Sequence, residues 1–240
     1  MVNQELLTGI HPSLRKNNCI MITCVIVNFK TKNLTEKCIE TFRKFYSHPI
    51  ILIDNNSADD STEFCKNAFT KYNDITLLLN NKNIGHGPAM HQAILLATTP
   101  YIFTLDSDTE TLQGTFLESM LLEFDKQENL YAIGWRRYVN CDGVSGDEKQ
   151  NKNLTPYIHP YAMLIDRAKY LTLPKFEDHG APCRSNMYAA FKANYTLSDF
   201  NLKPYIKHCI AGTRRMYNGY WHPKETDKPS EWKEKATYPI

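Results

Sequence analysis

The sequence predicts an α/β fold: a doubly wound, mostly parallel sheet flanked by helices, with a smaller C-terminal region. Short apolar runs alternate with amphipathic segments, the runs are apolar on both faces, and polar residues gather just after each run. Ile20 to Asn28 (IMITCVIVN) is β-branched and nearly all apolar, the composition of a strand buried on both sides. From Asn33 onward, Leu34, Cys38, Ile39, Phe42 and Phe45 recur at helical spacing, with Asn33 or Thr35 as the cap. The pattern repeats as strand Ile50 to Ile53, helix Asp59 to Tyr72, strand Ile75 to Leu79, helix Gly87 to Ala97 and strand Tyr101 to Leu105. Such alternation builds right-handed βαβ units. Ligands bind at the carboxyl ends of the strands in such sheets, so the residues after each strand are the first functional candidates.

Beyond Asp108 the rhythm loosens. A helix is expected over Leu112 to Phe124, a strand over Tyr131 to Trp135, a hairpin turning at Asp142 and Gly143, and a strand over Tyr157 to Ile165. Prolines, a glycine and charges mark Leu171 to Arg184 as a long loop, followed by a helix from Ser185 to Ala193. The expected division is an N-terminal extension (1–19), one folded domain (20–215, with halves 20–110 and 111–215) and a C-terminal tail (216–240) rich in proline and charge.

Composition limits the function classes. With 240 residues, 42% of them hydrophobic, the chain can bury one full core. Its 28 basic and 26 acidic residues leave a net charge of +2, so no broad electrostatic footprint indicates nucleic acid or an anionic membrane. The seven cysteines have no CxxC spacing and read as free thiols in a reducing compartment. No run is apolar enough to span a bilayer, and residues 1–19 lack a secretory apolar core. The expectation is a cytoplasmic protein, with room for weak peripheral association at a membrane surface.

Leu105-Asp106-Ser107-Asp108 places two carboxylates at i and i+2 just after an apolar strand. Hard oxygen ligands of this kind suit Mg²⁺ or Mn²⁺ bridging a diphosphate. The alternative is an Asx turn capping the helix that begins near Leu112. Asp54-Asn55-Asn56-Ser57 follows the second strand, where its side chains can reach a nucleobase or ribose, or simply make a turn and helix cap. Asn80-Asn81-Lys82-Asn83-Ile84-Gly85-His86-Gly87 opens a helix through two glycines, and its amides and Lys82 can approach a nucleotide closely. His159 and Tyr161 are candidates for a ligand pocket or for core aromatics, and Trp135, Arg136 and Arg137 for a phosphate or other anion site or for a solvated strand end.

In order, Val27-Asn28-Phe29, Ile53-Asp54-Asn55-Asn56-Ser57, Asn83-Ile84-Gly85-His86-Gly87 and Leu105-Asp106-Ser107-Asp108 resemble the motif series of glycosyltransferase family 2, in its rhamnosyltransferase-like branch. The resemblance covers roughly Ile20 to Glu110 and extends less securely to Arg215. It implies a GT-A-like fold with an acceptor-side C-terminal region, and a metal-dependent, inverting transfer of a hexose or deoxyhexose. The implied donor is a nucleoside diphosphate sugar and the implied acceptor a hydroxyl on a glycan, a lipid-linked molecule or another compound; the near-neutral charge neither indicates nor excludes a nucleic-acid acceptor.

By the same resemblance Asp54 contacts the nucleobase and Asn28 lines the nucleotide pocket, with Asn56, Lys82, Asn83 and Gly85 on the donor side. Asp106 and Asp108 form the Mn²⁺ or Mg²⁺ motif, with Asp108 the first choice as direct ligand, and His208 in Lys207-His208-Cys209-Ile210-Ala211-Gly212-Thr213-Arg214 completes the set. Arg214 and Arg215 suit the diphosphate. The general base is Asp178, then Glu177, with His179 kept as an alternative. This pair precedes His179-Gly180-Ala181-Pro182 rather than the usual helix start, so a catalytically inactive nucleotide-sugar or glycan binder stays open, as does a nucleotidyltransferase.

Overall fold

The computed structural model describes residues 21–140, 146, 154–177 and 181–209. Alternation along β1 (Ile22–Asn28) shows why the sheet is wound on both faces. Ile22, Cys24 and Ile26 enter one apolar layer, while Val25 and Val27 enter the other. The first layer is filled by α1 (Lys32–Arg43), α2 (Asp60–Lys71) and α4 (Phe116–Lys126). The second is filled by α3 (His86–Leu96), α5 (Arg167–Tyr170) and α6 (Arg184–Lys192).

The remaining strands are β2 (Ile50–Asp54), β3 (Ile75–Leu79), β4 (Tyr101–Leu105), β5 (Thr109–Thr111), β6 (Leu130–Val139), β7 (Thr155–Asp166), β8 (Thr196–Asp199) and β9 (Ile206–His208). Seven of them form one sheet in the order β3-β2-β1-β4-β7-β6-β8. Pairings among β1, β2, β3 and β4 are parallel, β7 runs antiparallel to both β4 and β6, and β8 is parallel to β6. The expected mostly parallel sheet is therefore present, with β7 reversed. The reversal matters for the site, because it brings the beginning of β7 to the carboxyl ends of β1, β2 and β4.

β7 is also irregular there. Gly134 of β6 pairs with Met163, but Arg136 pairs with Ile158, so the stretch from His159 to Ala162 bulges opposite Trp135. The bulge is tied to β4: Thr104 Oγ1 donates to the Pro160 carbonyl at 2.7 Å, and the Asp106 amide donates to the Tyr161 carbonyl at 2.8 Å. Gly134 permits the close approach, since a Cβ there would meet the Ala162 carbonyl oxygen at 2.8 Å.

Several expectations need correction. α1 begins at Lys32, ahead of both proposed caps, so Asn33 and Thr35 lie inside it; Thr35 is buried and used in a polar network described below. No helix starts at Leu112: β5 follows the Asp106 turn directly and α4 begins only at Phe116, which removes the helix-cap explanation of the paired aspartates. The strand expected at Tyr131 to Trp135 runs on to Val139, and β5, β8, β9 and the short α5 were not foreseen. The hairpin turn at Asp142 and Gly143 and the C-terminal tail (216–240) lie outside the described residues. Cys24, Cys38, Cys65, Cys183 and Cys209 are free thiols. Among the described residues, no helix is long and apolar enough to cross a membrane.

Candidate functional site

The strand order reverses between β1 and β4, and a crevice at such a point is where open α/β sheets bind ligands. Polar residues at this end are of two kinds, those consumed by the scaffold and those left facing the crevice.

Asn28, at the end of β1, is of the first kind. Its Nδ2 donates to Asp54 Oδ1 at 2.9 Å and to Ser57 Oγ at 3.0 Å, while its Oδ1 accepts from Thr31 Oγ1 at 3.0 Å and Thr35 Oγ1 at 2.8 Å. An Asn side chain offers two donor hydrogens and two acceptor lone pairs, so none is left for a ligand. Asp54 is similarly engaged: Oδ1 accepts from Asn28 and Ser57 Oγ, and Oδ2 accepts from Thr62 Oγ1 at 2.7 Å and the Ser57 amide at 3.4 Å. Both side chains are buried. In this arrangement they brace the loops after β1 and β2.

Asn55 extends the brace to the next loop. Its Nδ2 donates to Asn83 Oδ1 at 2.8 Å, and its Oδ1 accepts from Asn80 Nδ2 at 3.0 Å. Asn83 Oδ1 in turn accepts from the Gly85 amide at 3.0 Å, and Gly85 takes φ 90°, a conformation that glycine tolerates as it turns the chain into α3. Asn56 is held at φ 63° and Lys30 at φ 55° in these loops, backbone states costly for non-glycine residues and often found at functional sites. Lys82 is exposed.

Asp106 and Asp108 are of the second kind. β5 pairs antiparallel with β9, setting Thr109 opposite His208, so a two-stranded ribbon delivers His208 to the aspartates. His208 Nε2 lies 3.3 Å from Asp108 Oδ1 and 3.9 Å from Asp106 Oδ2. One ligand atom from each of the three side chains lies within 4.8 Å of the others. The turn is fixed by the Thr109 hydroxyl, which donates to the Asp106 carbonyl at 2.8 Å, and by the Cys209 amide, which donates to the Asp108 carbonyl at 2.8 Å.

Burial pushes the Asp106 carboxyl above its ordinary range and the Asp108 charge adds to this, against the pull of His86 and His208. At His208 burial opposes the charged form, but the hydrogen bond to Asp108 and the charges of both aspartates outweigh it, so its pKa is raised. Two carboxylates and one imidazole, drawn together with mutual strain in their charges, fit a divalent cation that accepts both oxygen and nitrogen.

His86 was missed by the sequence reading, which used its motif for the two glycines. It opens α3 and places Nε2 at 3.5 Å from Asp106 Oδ1. The usable signal was its position, a titratable side chain on the first helical turn after a strand. A row of rings borders the same cluster: Tyr161 stacks on His208 with centroids 4.7 Å apart and planes within 7°, and His159 lies 6.0 Å from His208.

Glu177 is exposed, and its Oε2 accepts from Ser185 Oγ at 3.0 Å. Its backbone packs against α3 so closely that a Cβ at Gly87 would fall 1.3 Å from the Glu177 carbonyl oxygen. The second glycine of the Asn83 to Gly87 motif therefore seats the loop that carries the expected base. Gly87→Ala is expected to cost ~3 kcal/mol of unfolding free energy, measured by urea denaturation; a loss below ~0.5 kcal/mol would show that this loop does not rest on α3. Asp178, His179, Arg214 and Arg215 lie outside the described residues.

Comparison with known proteins bears on the fold and the family. Among solved structures, a mannosyltransferase from Pyrobaculum calidifontis in complex with GDP-Man and Mn²⁺ superposes with a TM-score of 0.59 at 16% identity, covering 75% of this chain and 54% of that one. GalNAc-T7 with UDP, GalNAc and Mn²⁺ gives 0.63 at 13% identity over 80% of this chain and 44% of that one. Residues 1–349 of S. aureus TarS in complex with UDP-GlcNAc give 0.55 at 14% identity over 77% and 57%. These likenesses establish the GT-A fold. Glycosyltransferase GlyG of Streptococcus pneumoniae serotype 4 (strain ATCC BAA-334 / TIGR4) is 26% identical over 129 residues, which are 53% of this chain and 42% of that protein. The chain thus spans about half the length of the relatives it matches. The sequence profile described as glycosyl transferase family 2 matches residues 23–218, taking in every motif on the crevice, and by that match the chain belongs to glycosyl transferase family 2.

Proposed function

We propose that residues 20–215 form a GT-A-type transferase domain that moves a hexose or deoxyhexose, with inversion, from a nucleoside diphosphate sugar to an acceptor hydroxyl. The observation that carries this reading is the convergence of Asp106, Asp108 and His208 at the carboxyl end of β4. Those side chains would hold Mn²⁺ or Mg²⁺, and the imidazole favours Mn²⁺ as the softer of the two. A metal bound there supplies charge stabilisation for a leaving diphosphate. The relatives described with GDP-Man or UDP and Mn²⁺ support the same ligand classes.

The chain's own residues divide the remaining work. Asp54, Asn56, Asn83 and Gly85 line or shape the nucleoside side, Asn28 positions Asp54, and Lys82 and Arg214 offer cations to the phosphates. Asp178, with Glu177 and His179 as neighbours, takes the proton from the acceptor hydroxyl. The acceptor oxygen then forms its bond to the anomeric carbon as the bond from that carbon to the phosphate oxygen breaks, and the nucleoside diphosphate departs with the electron pair. One displacement of this kind inverts the anomeric centre. Glu177 is tied to Ser185, which favours Asp178 as the base.

Calorimetric titration with UDP, GDP, dTDP and CDP, each with and without Mn²⁺, tests the donor site. Metal-dependent binding of one nucleotide supports the reading, and no binding of any nucleotide in either condition contradicts it. The metal site also has a pH signature. Folded His208 holds its proton above the ordinary value of 6.5, whereas a ligating imidazole must be neutral. Mn²⁺ affinity is therefore expected to strengthen as pH rises above 6.5, by up to about tenfold per pH unit for one displaced proton. Electron paramagnetic resonance of free Mn²⁺ measures this directly. A flat profile in that region, or the same slope in His208→Asn, would remove His208 from the ligand set.

A further inference from the structure

Trp135 is 41% exposed although it lies within β6 of the central sheet. It faces the β7 bulge, and its ring is held from two directions: His159 stacks at 5.6 Å with planes 30° apart, and the Arg137 guanidinium carbon lies 5.1 Å from the indole centroid. Tyr161 meets the same indole edge-on at 6.0 Å. His159 in turn lies 6.0 Å from His208. A continuous row of rings thus leads from the metal-ligand cluster to a solvent-facing indole.

Taking the proposed transferase reading as its basis, we infer that the Trp135 and His159 platform binds the acceptor, and that the acceptor is a carbohydrate whose ring C–H face lies on the indole. Several features fit this occupant better than a lipid chain or a peptide. The exposed apolar surface belongs to a single indole already packed by His159 and Arg137, and the part left accessible suits the C–H groups of a pyranose. Polar groups border it, with Arg137 and His159 able to meet ring hydroxyls at the edges.

The bulge gives the platform its position. Because the Thr104 hydroxyl and the Asp106 amide both hold the bulge carbonyls, the rings are anchored to the end of β4, where the chain turns into the two aspartates. An acceptor resting on Trp135 would present a hydroxyl toward the cluster across the width of the His159 ring. The indole is restrained before any ligand arrives, which lowers the ordering cost of binding.

Saturation-transfer NMR tests the inference, using methyl α- and β-glycosides of glucose, galactose, N-acetylglucosamine and rhamnose, and the disaccharides cellobiose and lactose, with Mg²⁺ and the best-binding nucleoside diphosphate present. At least one saccharide is expected to show transfer to its ring C–H protons. Its affinity should fall about tenfold or more in Trp135→Leu and stay within about threefold in Trp135→Phe, because the aromatic face is what binds. Trp135→Leu keeps apolar bulk, so it separates loss of stacking from loss of folding. Equal saccharide binding in Trp135→Leu and wild type would overturn the platform. So would the absence of saccharide binding from wild-type protein that does bind nucleotide. Saccharide binding that depends on Trp135 without any nucleotide binding would uphold the platform and overturn the donor reading instead.

Discussion

Asp108→Ala is expected to abolish measurable Mn²⁺ binding and to reduce sugar transfer by about a thousandfold, while the protein remains folded. The reasoning is geometric. Asp108 stands 3.3 Å from His208 Nε2, its backbone carbonyl is held by the Cys209 amide, and no side-chain partner other than His208 is seen among the described residues. Its removal takes away a proposed metal ligand rather than a brace. Loss of metal-based charge stabilisation is worth several kcal/mol in the transition state, and each 1.36 kcal/mol is a factor of about ten. Donor turnover assays with and without added Mn²⁺, together with a thermal melt, check the result. Retention of more than about a tenth of wild-type turnover would mean that the aspartate pair is not the metal motif.

The largest effect on stability is expected from Asn28→Asp. The change is almost isosteric, so it leaves no cavity, but it replaces the amide that donates to Asp54 and Ser57 with an acceptor. A second carboxylate would then face Asp54 in a buried network already saturated with donors to Asp54. Leaving a buried charge uncompensated costs about 3 kcal/mol or more. Like charges raise a carboxyl pKa, so the penalty is full above the raised folded-state pKa. It shrinks as pH falls toward the unfolded-state value, where the new carboxyl is protonated in both states. Urea denaturation at neutral and acidic pH measures both parts. A neutral-pH change smaller than about 1 kcal/mol would show that Asn28 does not brace the first two loops. Nucleotide affinity should fall with stability, since Asp54 and Asn56 depend on that brace for their orientation.

How much of this was legible depends on distance along the chain. The aspartate pair stood out because it follows a strong apolar strand and because sheet physics assigns ligands to that end. The strands β1, β2, β3 and β4 carry clear patterns: the observed limits of β3 and β4 match the expected ones, and those of β1 and β2 differ by a residue or two. His208 was reachable only through the family resemblance. Its placement depends on pairing between Thr109–Thr111 and Ile206–His208, segments of three residues whose periodicity is too short to read.

Asn28 illustrates a different limit. A polar residue after a strand reads as ligand-facing, yet Thr31 and Thr35 of the following segment turn it inward. The same pair explains the misplaced helix start, because Thr35 has a cap-forming side chain but spends it on Asn28. The β7 bulge left no sequence mark either. Gly134 allows it, but nothing in His159-Pro160-Tyr161 announces that the pairing will skip those residues and turn the rings of His159 and Tyr161 toward His208. His86 was overlooked because the glycines beside it already explained the motif.

The most direct test of the central claim is anomalous X-ray diffraction from crystals grown with Mn²⁺ and the tightest-binding nucleoside diphosphate. A manganese peak bonded to Asp108 and His208, with the diphosphate oxygens on its open side, is the predicted result. A nucleotide bound in the crevice with manganese elsewhere, or with none, would contradict the assignment of Asp106, Asp108 and His208 as the metal centre.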